Sequence, residues 1–226
     1  MYCAITMSMA QDVAGHDFLY SDYGQFFENL GYQLIYLPNL SKNFNEYFDQ
    51  LPIRALILSG GNDLSPEFTG DKPLDIRNSA PERDKAEKVI LDLAIERGLP
   101  VIGICRGMHF INCYFGGKLT QIIDDERHVR QKHLISFCDE RVNRLVKSKE
   151  ITVNSYHHQG IVIEQFSKQL KPLAVSVPDG LIEALYHPDF PIVGIQWHPE
   201  RTGIKGDDDT KLIKAFLDKN NYWRKI

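Results

Sequence analysis

The chain has 226 residues, 43% apolar and 25% charged, with Lys+Arg 26 against Asp+Glu 30 and a net charge of -4. These proportions exclude wholesale disorder and a fibrous repeat, argue against a general nucleic-acid footprint, and leave no apolar run of the ~18 residues that span a membrane. Met1-Tyr2-Cys3-Ala4-Ile5-Thr6-Met7 is no signal peptide, and Cys3, Cys105, Cys113 and Cys138 include no Cys-x-x-Cys pair, so free thiols in a reducing cytoplasm are expected and a structural zinc site is not.

The first half alternates strand-like and helix-like segments. Cys3–Met9 reads as a strand. Tyr20–Leu30 reads as a helix, from Tyr23, Phe26, Phe27 and Leu30, with Gly31 as a stop. Tyr32–Leu37 is a second strand, Asn43–Gln50 a weak helix, and Ala55–Leu58 a buried strand running into Ser59-Gly60-Gly61. Ser79 and Glu82 have capping-box spacing, Pro81 suits a first turn, and the helix that follows ends at Gly98. Leu99–Ile104 is a continuous apolar strand, as expected inside a parallel sheet covered on both faces. A helix then spans Arg106–Phe115.

The second half is richer in strands, at Lys118–Ile123, Leu134–Phe137, Ile151–Val153, Leu173–Val177, Leu181–Leu185 and Pro191–Gln196. A last helix covers Asp208–Leu217, with Asp207-Asp208-Asp209 favouring its N-terminal dipole. The pattern predicts a single three-layer α/β domain over 1–226: a mostly parallel sheet flanked by helices, with an antiparallel, strand-rich second half.

The chemistry concentrates at Gly103-Ile104-Cys105-Arg106-Gly107. Small-x-nucleophile-x-small between a buried strand and a helix has the logic of a nucleophile elbow. A thiol there faces a helix N-terminus, which favours the thiolate. A thiol nucleophile needs a base, and His198 in Trp197-His198-Pro199-Glu200 is the best of eight histidines. In extended backbone, His198 and Glu200 point to one side, so Glu200 can hold the imidazole, and Pro199 restricts the aim. Ser59-Gly60-Gly61 brings backbone N–H groups to a strand's carboxyl end, where Gly61 could join Arg106 as an oxyanion donor.

Asn154-Ser155-Tyr156-His157-His158-Gln159 follows a strand. Its histidines could bind substrate or satisfy loop backbone. Metal is the least favoured role, since neighbours in a strand point apart and no carboxylate stands beside them in sequence. His128 and His133, with Arg127 just before them and Arg130 between, read as a solvated, weakly basic segment. Neither a phosphate loop nor Gly-x-Gly-x-x-Gly is present, so no cofactor is expected.

In this order, the four segments resemble the class I glutamine amidotransferase-like superfamily, whose fold is flavodoxin-like. Gly-Ile-Cys-Arg-Gly-Met, Asn-Ser-x-His-His-Gln and Glu82-Arg83-Asp84 look most like the γ-glutamyl-γ-aminobutyrate hydrolase branch. The resemblance implies Cys105 as nucleophile, His198 as base and acid, Glu200 as its orienter, and Gly61 and Arg106 as oxyanion donors. It implies Tyr156 and His157 at the glutamyl end of the substrate. His109 stands where amidotransferases usually carry a substrate-binding Gln, on the same helical face as Cys105. The implied activity is hydrolysis of a γ-glutamyl amide, through a thioester, to glutamate and an amine. The amine could be a nucleotide-linked amidate as in surface-polysaccharide pathways, with Arg127, Arg130 and Lys132 as cationic contacts. The alternatives are a glutaminase subunit serving a separate synthase, and a non-catalytic binding member. The partner expected is the small-molecule substrate, with a homo-oligomer or synthase possible, and no metal, membrane or nucleic acid.

Overall fold

The computed structural model describes residues 1–12, 15–70, 78–120, 128–201 and 207–218. The elements in chain order are β1 (Tyr2–Thr6), β2 (Ser8–Met9), β3 (Asp17–Phe18), α1 (Ser21–Asn29), β4 (Gln33–Leu37), α2 (Phe44–Gln50), β5 (Ile53–Leu58) and α3 (Pro66–Thr69). Then come α4 (Pro81–Glu96), β6 (Val101–Ile104), α5 (Arg106–Tyr114), β7 (Val129–Phe137), α6 (Glu140–Val146), β8 (Glu150–Tyr156), β9 (Lys171–Ser176), β10 (Ile182–Tyr186), β11 (Ile192–Ile195) and α7 (Asp207–Leu217).

One nine-stranded sheet runs in the order β4-β1-β5-β6-β11-β10-β9-β7-β8. From β4 to β11 every pairing is parallel. From β11 to β8 every pairing is antiparallel. Helices cover both faces, and the alternation of each strand decides which. Cys3, Ile5, Ala55, Ile57, Ile102 and Ile104 pack with Tyr23 and Phe27 of α1 and with Ile213 and Phe216 of α7. Ala4, Leu56, Leu58 and Val101 pack with Ile90 and Leu91 of α4 and with Met108 and Ile111 of α5. Both faces of the parallel strands are therefore apolar, which is why they read as unbroken hydrophobic runs.

The expected fold class holds, and local differences have local causes. The strand expected at Cys3–Met9 breaks at Met7. Thr6 turns its hydroxyl to Glu87 at 2.8 Å and accepts the Ser59 N–H at 3.1 Å. Beyond the break, β2 leaves the sheet and pairs with β3, and Asn62 clamps Met9 on both its N–H and its carbonyl. The capping box does not form: Ala80, not Ser79, precedes α4, and no side chain caps it. In the expected strand at Lys118–Ile123, only Thr120 pairs, in an isolated bridge to Gly160; residues 121–123 lie outside the described ones. Helix α6 was not anticipated. Its signals were Asp139, which accepts the Arg141 N–H at 2.8 Å, and the buried Val142 and Val146 one turn apart. Among the described residues, no helix is long and apolar enough to cross a membrane.

Candidate active site

Cys105 sits between β6 and α5 with φ 54° and ψ -105°, far from the common basins of an L-residue. Such a backbone costs on the order of 1–3 kcal/mol and persists only where its surroundings over-determine it. Here they do. The Cys105 N–H donates to the Ile195 carbonyl at 2.8 Å, and its own carbonyl accepts from Met108 and His109. The flanking glycines serve close approach. A Cβ on Gly103 would lie 2.5 Å from the Gly107 carbonyl, and one on Gly107 would lie 2.2 Å from the Leu58 carbonyl oxygen. Strain is confined to the cysteine, while the glycines let β6, α5 and β5 touch.

His198 follows β11 and is clamped by β8. Its N–H donates to Asn154 Oδ1 at 2.8 Å, and its carbonyl accepts from Asn154 Nδ2 at 2.7 Å. Its Nδ1 lies 2.6 Å from Glu200 Oε1, so Nδ1 carries a proton and Nε2 is left for the thiol. Burial disfavours the charged ring, but the charges of Cys105 and Glu200 and hydrogen bonds to both prevail, holding His198 at about 9. The buried Tyr23 hydroxyl accepts the Gly60 N–H at 2.9 Å. Burial and the neighbouring Glu200 push its pKa well above 10, so it remains protonated.

Gly61 has φ 124°, and a Cβ there would meet Ser8 Oγ at 2.0 Å and Arg83 at 2.9 Å. Its loop is fastened from below by the fully buried Arg83, which donates to the Ser59 carbonyl at 2.7 Å and to Asn62 Oδ1 at 3.3 Å. Arg83 also pairs with Glu87 at 2.9 Å. The Arg106 side chain turns away from the cavity into Asp84 and Glu87. Asp84 in turn accepts the Ser65 N–H at 2.8 Å. Burial opposes the Glu87 carboxylate, yet the two guanidiniums bring its pKa below the usual range. Arg83 and Asp84 of the Glu-Arg-Asp motif thus brace both sides of the cysteine turn from behind.

A cavity of about 980 Å³ opens above the thiol. Cys105, Gly61, His198 and Tyr156 line it, as do Arg201 and residues 9–12 and 15–18 of the β2–β3 hairpin. The Arg201 guanidinium lies 4.5 Å from the Tyr156 ring centroid and 5.8 Å from that of Tyr20.

The structure therefore brings together Cys105, His198, Glu200, Gly61, the start of α5 at Arg106, and Tyr156. Two expected substrate contacts are placed elsewhere. His109 is buried behind the nucleophile, its Nε2 2.6 Å from Gln196 Oε1, and Gln196 reaches Cys105 Sγ at 3.6 Å. Burial holds His109 at about 4, so it is a neutral donor to Gln196 and does not line the cavity. His157, just past the end of β8, is also buried, its Nδ1 2.8 Å from the Gln159 carbonyl, and does not line the cavity. The segment read as solvated is corrected as well: His128 and His133 are both buried. Arg130 and Lys132 are exposed but do not line the cavity, and Arg127 lies outside the described residues. Among the described residues the arginine lining the cavity is Arg201, which no motif includes; Tyr23 entered only through the helical spacing of Tyr20–Leu30.

The profile of the family described as Peptidase C26 matches residues 3–200. A γ-glutamyl-CDP-amidate hydrolase of Campylobacter jejuni is 32% identical over 221 residues, covering 96% of this chain and 98% of that protein. A γ-glutamyl-γ-aminobutyrate hydrolase of Escherichia coli O157:H7 is 32% identical over 167 residues, 66% of this chain and 63% of that protein. The glutaminase domain of Trypanosoma brucei CTPS superposes with a TM-score of 0.68 at 15% identity, covering 96% of this chain and 94% of that one. With the family profile spanning most of its length, the chain belongs to the Peptidase C26 family of class I glutamine amidotransferase-like hydrolases.

Proposed function

We propose that the protein hydrolyses a γ-glutamyl amide through a covalent thioester on Cys105. The observation that carries this reading is the His198–Glu200 pair set against the strained cysteine at the cavity wall. Cys105 Sγ attacks the amide carbon. The N–H groups of Gly61 and Arg106 receive the oxyanion; the first N–H groups of α5 have no acceptor within their own helix. His198 gives its proton to the departing amine, then takes one from the water that cleaves the thioester. Glu200 keeps Nδ1 protonated throughout. Gln196, held by His109, directs its Nε2 at the thiol from 3.6 Å.

The leaving group we infer is a nucleotide-linked amidate. Arg201 offers a fixed cation to phosphate, and Tyr156 and Tyr20 offer ring faces at the mouth. The Campylobacter relative, aligned over nearly its whole length, carries that substrate in its name. A glutaminase subunit is the second reading, since the fold is shared with glutaminase domains.

The test is glutamate release from glutamine, γ-glutamyl-aminobutyrate, γ-glutamyl-putrescine and γ-glutamyl-CDP-amidate, with Cys105→Ala as the blank. Turnover of the nucleotide amidate is expected to exceed that of glutamine, with a loss on the order of 10⁶-fold in Cys105→Ala. Arg201→Ala is expected to raise KM for the nucleotide amidate about tenfold with little change for glutamine. Glutamine as the preferred substrate would transfer the assignment to the glutaminase reading, and an active Cys105→Ala would remove the nucleophile.

A further inference from the structure

Behind the catalytic strands, the antiparallel half buries a second polar cluster that the reaction does not use. His128 precedes β7, His133 lies within it, His157 follows β8, and Glu183 belongs to β10. All four are buried, Glu183 to 1% exposure. The ring centroids of His128 lie 5.0 Å from those of His133 and 4.9 Å from those of His157. One ligand atom each from His128, His157 and Glu183 lies within 4.8 Å of the other two.

The proton positions follow from the outer contacts. His157 Nδ1 lies 2.8 Å from the Gln159 carbonyl and so carries its hydrogen, which leaves the Nε2 lone pair inward. His128 Nε2 lies 2.6 Å from Asp179 Oδ2 and is protonated in turn, which leaves Nδ1. Nδ1 has only a 3.5 Å contact to Ser155 Oγ, whose proton goes to the His128 carbonyl at 2.8 Å. A carbonyl or carboxylate on the outer nitrogen and a bare inner one is how metal-bound imidazoles are held. Among the described residues, His157 Nε2, both ring nitrogens of His133 and both oxygens of Glu183 are buried without a hydrogen bond. Glu183 Oε1 nevertheless lies 3.2 Å from His133 Nε2 and 3.8 Å from His157 Nε2. The atoms converge on one point within ion-pair range, yet none of these contacts has the alignment of a hydrogen bond.

We propose that His128 Nδ1, His157 Nε2 and the Glu183 carboxylate form a binding site for a divalent transition metal, zinc by its donor set, with His133 beside it as a fourth donor. Two or three imidazoles and a carboxylate suit tetrahedral zinc, and the ion would satisfy the buried atoms that protein partners leave unfilled. Bound there, the ion would take the Glu183 carboxylate and the neutral imidazoles as its ligands. The ion would tie β7, β8 and β10 together beside the active site, for the Glu183 carbonyl accepts the Gln196 N–H at 2.8 Å. Its role is to staple the structure, and it does not depend on which amide the protein cleaves.

The test uses full-length Cys105→Ala, so that the catalytic thiol cannot compete, stripped with a chelator and titrated with Zn²⁺ alone. Elemental analysis after desalting is expected to find about one equivalent of zinc. Tm should rise by about 5–10 °C at saturating metal. Adding His157→Ala and Glu183→Gln should abolish both effects. Co²⁺ bound to the chain with its histidines intact should show tetrahedral visible bands without a sulfur-to-cobalt charge-transfer band, a readout that stands even where the ligand variants do not fold. No retained zinc, retention undiminished in a folded ligand variant, or a thiolate–cobalt band would overturn the site.

Discussion

The parallel and antiparallel halves of the sheet bury charge in opposite ways. Under the parallel strands, Arg83, Arg106, Asp84 and Glu87 lie at 2% exposure or less and answer one another nearly atom for atom. Under the antiparallel strands, His128, His133, His157 and Glu183 are also buried, at 6% exposure or less, and several of their polar atoms make no hydrogen bond. A closed network is a brace: it holds the Ser59-Gly60-Gly61 loop and α5 in register around Cys105. An open one is a receptacle, stable only to the degree that something else completes it.

The sharpest way to break this contrast is Glu87→Gln. It leaves two buried guanidiniums short of one carboxylate and should cost about 3–5 kcal/mol, read as a lower urea midpoint. A cost under about 1 kcal/mol would mean that the network is not a brace. The matching change in the other half is His133→Leu in chelator-stripped protein. The ring's close polar approach is Nε2 at 3.2 Å from Glu183 Oε1, poorly aligned for a hydrogen bond, so less than about 1 kcal/mol should be lost. A loss comparable to that of Glu87→Gln would show that the cluster satisfies itself after all.

The smallest effect is in the pH profile of Tm. His198, raised from 6.5 to about 9, binds its proton more tightly when folded. Stability from this source is complete below pH 6.5 and is lost as pH rises toward 9. His109, lowered from 6.5 to about 4, acts in the other direction, and its contribution is lost as pH falls across that interval. Because the Cys105 charge helps to raise His198, Cys105→Ala should flatten the alkaline limb alone. Superimposable alkaline limbs in the two proteins would refute that coupling.

The same contrast separates what was legible in the sequence from what was not. The parallel half announces itself, since strands such as Val101–Ile104 are apolar on both faces and glycines frame the cysteine. Arg83 and Asp84 were noticed as a motif, but nothing in a linear pattern says that their side chains are buried beneath a loop. In the antiparallel half, Val129–His133 begins polar and reads as solvent-facing, while three histidines and Glu183 come from separate segments over more than fifty residues. Hydrophobic periodicity is blind to polar groups that are buried together. His109 was placed on the right helical face, but a helix's pitch does not say that Gln196 would intercept its ring. Arg201 escaped notice because its partners, Tyr20 and Tyr156, are remote in sequence.

Strand β11 is made late yet sits at the centre of the sheet, between β6 and β10. A ribosome delivers Cys105 some ninety residues before it delivers His198 and Glu200. Until β11 is inserted, the cysteine has neither the Ile195 carbonyl that locks its backbone nor the imidazole that draws its proton. The nascent chain therefore carries an unarmed thiol until β11 is made, and the reactive group is switched on by the docking step that fills the centre of the sheet. Order of translation becomes a safeguard: the thiol is armed only once the centre of the sheet is filled.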